Sequence, residues 1–285
     1  MASKLTLYAR MVQLEHTLFA LPFSLGSMLL AAKGLPTLST FLWILLALVS
    51  GRSFAMAMNR YADRHLDPLN PRTRDRVLPG RELGLGEVRL FLAVSAALLV
   101  LAASQLPSLC LKLLPVALAF LTLYSYAKRF TWTAHFILGF CLAMAVSGSW
   151  IAVRGTLDAP AATLGLAIVL WVSGFDILYA GQDIEFDRQR DLKSIPARFG
   201  LEASQTLARA LHAASCAVIW ATGLLLDASW IYHAGAAVMA CLVAYEHRVV
   251  RGGDLTRIQR AFFEVNALVS ATFLLTAALE VLRGP

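Results

Sequence analysis

Along this chain an apolar run repeatedly continues for about the 20 residues that a helix needs to cross a bilayer. Nine such runs fall roughly at 16–33, 37–60, 87–105, 109–127, 133–153, 161–181, 204–226, 229–247 and 260–282. Hydrocarbon offers no partner to a backbone amide, so each run must satisfy its own hydrogen bonds as a helix. The expectation is all-α: a polytopic membrane helical bundle of about nine transmembrane helices around a central cavity, with residues 1–285 forming one membrane-embedded domain. Composition agrees, at 58% hydrophobic, 15% charged and a mean hydropathy of +0.66.

Most connections between the runs are short, such as 34–36 and 106–108. Two are long and polar, at about 61–86 and 182–203. The formal charge of +7 invites a nucleic-acid partner, but its distribution argues against one. Of the 25 Lys and Arg, 20 fall on one side of the nine-span arrangement, and only Lys33, Lys112, Arg154 and Arg283 on the other. By the positive-inside rule the N-terminus and both long loops are cytoplasmic, and an odd number of spans puts the C-terminus outside. The first apolar run, from about His16, has no small-residue cleavage site behind it and is expected to remain as a span. Cys110, Cys141, Cys216 and Cys241 lie scattered in apolar stretches, with neither metal-ligand nor disulfide spacing, and read as small hydrophobes.

Each long loop begins in a run of acids. Asn59, Asp63 and Asp67 are four residues apart, which stacks them on one face of a helix. Arg52 lies on a similar face seven residues earlier, inside the apolar run, where a charge is costly and normally faces a polar cavity. Asp176, Tyr179, Asp183 and Asp187 repeat the idea in steps of three, four and four. The bland alternative is a solvated helix exit. It explains one acid better than it explains two stacked sets, each followed by basic residues. Facing carboxylate clusters repel unless cations lie between them. An all-oxygen donor set suits a hard divalent cation, and Mg2+ favours carboxylates together with substrate phosphates. Arg72 and Lys193 supply positive charge around such a diphosphate, and Lys128-Arg129 either hold phosphate or simply obey the positive-inside rule. A diphosphate at the end of a membrane cavity suggests a lipid whose tail lies among the helices. His135 reads as a packed or cavity-lining polar residue with no assigned role.

The pattern Arg52, Asn59-x-x-x-Asp63-x-x-x-Asp67, then Asn70-Pro71-Arg72-Thr73-x-x-Arg76-x-Leu78-Pro79-Gly80, resembles the first signature of the UbiA-type intramembrane prenyltransferases. Asp176-x-x-Tyr179-x-x-x-Asp183-x-x-x-Asp187 with Lys193-Ser194 resembles the second, and Tyr124-x-x-x-Lys128-Arg129 the segment between them. The wording is similar to that of the 4-hydroxybenzoate polyprenyltransferase branch. It departs in Arg60, where the family usually has a second acid, and in Ala134-His135, where well-known ubiquinone enzymes have Pro-Gln.

The resemblance implies an enzyme of the bacterial inner membrane that joins a polyprenyl group from polyprenyl diphosphate to a small aromatic acceptor, either 4-hydroxybenzoate or, as in menaquinone synthesis, a dihydroxynaphthoate. It implies Mg2+ held by Asn59, Asp63, Asp67, Asp183 and Asp187, with Arg72, Lys128, Arg129 and Lys193 on the diphosphate. Asp183 and Asp176 are then the candidates for acid–base work, and Arg52 and Tyr179 for acceptor binding. A transporter is the competing class. It would use Arg52 and Asp176 as a path, but lacks the matched broken helices expected of one.

Overall fold

The structure is a computed structural model that describes residues 3–13, 17–80, 82–250 and 261–284. The expected start of the first span at His16, the start of the last at Arg260, and the basic residues Arg81, Arg251 and Arg257 lie outside the described residues.

A short helix α1 (Lys4–Val12) leads into α2 (Thr17–Ala32), α3 (Leu38–Ala62), α4 (Leu85–Ser104), α5 (Ser108–Ala127), α6 (Ala134–Arg154) and α7 (Ala159–Ala180). Two short pieces follow, α8 (Ile184–Gln189) and α9 (Ile195–Phe199). The chain then closes with α10 (Leu201–Leu225), α11 (Trp230–Val249) and α12 (Asn266–Leu282). Each of the nine expected runs coincides with a long helix. Among the described residues, seven spans are long and apolar enough to cross a membrane. The α2 helix falls short on length, and α11 on hydropathy, lowered by His233, Glu246 and His247. Among the described residues, length and composition thus identify seven spans, and the two remaining expected runs are helices too.

Local chemistry sets the helix ends. Thr37 caps α3 by accepting the Thr40 N–H at 3.2 Å, and Asp158 caps α7 by accepting that of Ala161, also at 3.2 Å. The helices pack in chain order, α3 on α4 and α5, α5 on α6, α6 on α7, α7 on α10, α10 on α11 and α11 on α12. Helix α2 packs between α6 and α12. Small residues allow the closest approach: a Cβ on Gly139 of α6 would lie 2.6 Å from the Val169 carbonyl of α7.

Helix α7 is the most deeply buried span. Its Trp171 and Phe175 pack with Phe23 of α2 and Phe273 of α12 in the main core. A second core joins α1, α3 and α4 through Phe54, Val77 and Val88. Exposed Leu, Val and Phe side chains cover much of the outer surface, as lipid contact demands. The cysteines are free, in keeping with their reading as small hydrophobes.

A cavity of about 910 Å³ is walled by α3, α4 and α5 on one side and by α6 and α7 on the other. Its deep part is apolar, with Ile44, Leu48, Leu99, Leu114 and Ile151 among the lining. Its other end is where both long loops meet.

Candidate active site

The first acidic set sits where α3 stops. The helix ends at Ala62, but i→i−4 bonds recur in the turn that follows, at Asp63 and Asp67, before a 3-10 turn covers Asp67–Leu69. The Asp63 N–H donates to the Asn59 carbonyl at 2.9 Å, and the Asp67 N–H to the Asp63 carbonyl at 2.8 Å. The four-residue spacing therefore survives, and Asn59, Asp63 and Asp67 all line the cavity. Asn59 Nδ2 donates to Asp63 Oδ2 at 3.1 Å. Asp67 is buried and accepts from Arg76 Nη1 at 2.7 Å.

The second acidic set is interrupted. Helix α7 ends at Ala180, a 3-10 turn covers Gly181–Asp183, and α8 begins at Ile184. The 3.6-residue winding is therefore lost before Asp183, and α8 restarts it from an Asp183 with non-helical backbone angles, so Asp187 belongs to a separate helix. Asp176, Tyr179 and Asp183 line the cavity. Asp187, expected on the same face, is buried to 2% and lies beside Lys128, whose Nζ is 3.5 Å from its Oδ2. It is not among the lining residues.

The basic residues cross-link the two sets. Arg72, in the loop after the first motif, reaches an acid of the second: Nε and Nη2 donate to Asp183 Oδ1 and Oδ2 at 3.1 and 2.6 Å. Its Nη1 also meets the Tyr179 hydroxyl at 3.2 Å. Asn70 adds a bond to Asp183 Oδ1 at 3.2 Å, and its own Oδ1 accepts the Arg72 N–H. Arg129 donates to Asp63 Oδ1 at 2.9 Å and to the Ala62 carbonyl at 2.8 Å, closing the end of α3. Lys128 and Arg129, adjacent at the end of α5, thus take one acid from each motif.

Burial and partners tune these groups. Burial pushes the Asp63 carboxyl above its ordinary range, and the Arg129 guanidinium only partly opposes this. Burial works against the Arg72 and Lys128 cations. For Arg72 the Asp183 contact outweighs it, and for Lys128 the surrounding Asp187, Asp183 and Asp176, so both are raised and stay charged.

The residues fit a divalent cation in part. Asp67 Oδ2 and Asp187 Oδ2 are buried oxygens without a hydrogen-bond partner. A buried polar atom left so costs about 1–3 kcal/mol, more when charged. The donors at the mouth are all oxygens, as a hard cation prefers. Among the described residues, no three acids or His or Cys side chains are gathered closely enough to hold a metal. In this arrangement Asp63, Asp67, Asp183 and Asp187 each face an Arg or Lys. Asn59, Asp63, Asp67 and Asp183 would hold the ion from the cavity wall; Asp187 would need Lys128 to move aside.

Arg52 lines the middle of the cavity, about 10 Å along α3 from Asn59. Its Nη2 donates to the Gln13 carbonyl at 3.3 Å, while its buried Nε has no hydrogen-bond partner. Lys193 is not among the lining residues: its ammonium bonds Asp191 at 2.5 Å, and only its backbone N–H touches the site, donating to the Lys128 carbonyl at 2.6 Å.

Three residues gained partners that spacing did not reveal. Asn70 and Arg76 hold acids from the loop, where no periodicity operates. His135, fully buried on α6, bonds Asp176 Oδ2 through Nδ1 at 2.6 Å. The available signal was an ionisable residue inside an apolar run.

The sequence profile of the UbiA prenyltransferase family matches residues 20–269. A 4-hydroxybenzoate octaprenyltransferase of Vibrio cholerae is 32% identical over 246 residues, covering 85% of each chain. The solved apo structure of a UbiA homolog from Aeropyrum pernix K1 superposes with a TM-score of 0.84 at 30% identity, covering 93% of this chain and 98% of that one. A UbiA homolog from Archaeoglobus fulgidus bound to DMAPP and Mg2+ shares the fold at a TM-score of 0.78 and 19% identity, covering 96% and 98%.

Proposed function

The chain belongs to the UbiA prenyltransferase family, and from that premise we propose that it transfers a polyprenyl group from polyprenyl diphosphate to 4-hydroxybenzoate with the help of Mg2+. It is an integral membrane enzyme, a prenyltransferase. The observation that carries the finer reading is the Arg72–Asp183 clamp at 2.6 Å, which closes the polar end of a long apolar cavity. Such a space suits a lipid tail with its charged head at the clamp. The name of the Vibrio cholerae relative supports the acceptor, and the Archaeoglobus fulgidus structure supports the metal.

In this reading the diphosphate lies among Arg72, Lys128 and Arg129, whose cations turn from Asp183, Asp187 and Asp63 toward phosphate oxygens. Lys193 joins them only by leaving Asp191. Asn59, Asp63, Asp67 and Asp183, with Asp187, would hold magnesium. Bound magnesium supplies charge to stabilise the departing diphosphate. As the allylic carbon–oxygen bond breaks, the electron pair leaves with the diphosphate, where the fixed cations meet it. The apolar walls keep water from the allylic cation. The ring carbon of the acceptor bonds to that cation and then gives its proton to the released diphosphate, restoring the aromatic ring. Arg52 holds the acceptor carboxylate, with Tyr179 bounding the acceptor space. Asp176 takes or orients the phenolic proton, because in this reading Asp183 is committed to the metal. The Lys/Arg asymmetry supports a cytoplasmic mouth, and the bacterial relative supports an inner-membrane location.

The test is purified protein with one polyprenyl diphosphate, offered 4-hydroxybenzoate or 1,4-dihydroxy-2-naphthoate, with and without EDTA, and products weighed by mass spectrometry. Prenylated hydroxybenzoate formed only with magnesium is expected. Prenylation of the naphthoate alone would overturn the acceptor, and full activity in EDTA the metal.

A further inference from the structure

We propose that His135 is a positioning residue that fixes the orientation of Asp176 at the acceptor end of the site. This inference rests on the prenyl-transfer reading above.

The His135 ring is fully buried on α6, and its two nitrogens have different partners on different elements. Nε2 lies 3.3 Å from the Ile195 backbone N–H. A backbone N–H can only donate, so Nε2 must be the unprotonated acceptor nitrogen of the ring. The ring proton is then on Nδ1 and is donated to Asp176 Oδ2 at 2.6 Å. The tautomer follows from the two contacts together. A neutral His donating to Asp176 leaves the negative charge on the carboxylate.

Asp176 sits inside a span, where a charge is costly unless it faces a polar space. Its side chain stays 16% exposed and lines the cavity, while His135 is sealed behind it. One oxygen is thus pinned from the protein side, which sets how the carboxylate presents itself to a bound acceptor. The far anchor is fixed as well. Ile195 opens α9, and two residues earlier the Lys193 N–H bonds the Lys128 carbonyl at 2.6 Å. His135 therefore joins the acceptor-side carboxylate to the same strap that braces a phosphate-side lysine. A residue that only tied α6 to α7 would need no specific tautomer and no third anchor.

Steady-state prenyl transfer by purified variants tests this, with thermal unfolding as a check on folding. H135L removes the donor, and kcat should fall on the order of 10- to 100-fold through misplacement of Asp176. KM for polyprenyl diphosphate should move less than about twofold. H135N keeps an N–H near the Nδ1 position and should recover most of the loss. H135Q displaces that donor by one methylene and should not, which keeps the test decisive if H135L does not fold. In a D176A background, H135L should cost less than about twofold more, because its effect runs through Asp176. Wild-type kcat in H135L or H135Q, loss in folded H135N equal to that in H135L, or full additivity with D176A would each overturn the inference. A wild-type protein that prenylates neither acceptor would overturn the functional reading, and the inference with it. An active wild type with silent His135 variants would sink the inference alone.

Discussion

The two acidic motifs have nearly the same spacing and meet different fates. The first keeps its helical bonding past the end of α3, so Asn59, Asp63 and Asp67 all face the cavity. The second passes through a 3-10 turn at Gly181–Asp183 and restarts as the separate helix α8, with non-helical backbone angles at Asp183; Asp183 faces the cavity and Asp187, on α8, lies beside Lys128. A four-residue spacing guarantees a shared face only while the 3.6-residue winding lasts. At a helix exit that winding is decided by what the loop must reach. Here the loop returns to α5, and the Leu192 N–H closes on the Asp187 carbonyl at 2.8 Å. The first motif is a row of cavity donors. The second is a clamp, with one acid at the cavity and one behind it.

That difference can be broken by experiment. Removal of magnesium with EDTA should have the largest effect, abolishing prenyl transfer until the ion is restored, as read by product mass. Asp183→Ala should follow, with kcat/KM down on the order of 10³-fold, since it removes a cavity donor and frees Arg72 from its partner. Asp63→Ala should be of the same order. Asp187→Ala should cost distinctly less, about 10-fold, because its carboxylate reaches the metal only after Lys128 moves aside. Equal losses at Asp183 and Asp187 would show that the two acids act alike although one faces the cavity and the other lies buried beside Lys128. Arg52→Ala should raise KM for the acceptor by about 10-fold or more, the worth of a charge-assisted hydrogen bond, and leave KM for the prenyl diphosphate near the wild-type value. Lys193→Ala should be the mildest, changing activity less than about twofold, since its ammonium is surface-exposed and bound to Asp191. A large loss there would mean that Lys193 swings into the site when diphosphate binds.

Much of this was legible in the sequence because it depends on local pattern. The runs of about 20 apolar residues placed the long helices, with α2 and α11 the weakest of them as spans. The clustering of Lys and Arg beside Asp63 and Asp183 marked one end of the bundle as the charged one. The pairing Arg72–Asp183 was not legible, because it joins residues 111 apart in sequence. Nor was the role of His135, which looked like core until α7 and α9 supplied its partners.

What the amino-acid order determined alone is the bundle of apolar helices, the two acid-bearing exits and the surplus of positive charge around them. These follow from burial of backbone polar groups in lipid and from short-range helical periodicity, which need no partner element. What only the tertiary structure decided is which base meets which acid, which acids face the cavity, and which nitrogen of His135 carries the proton. Those depend on contacts of a few ångströms between α3, α5, α6, α7 and the loops beyond them. No local preference encodes such distances; they exist only once the helices have packed.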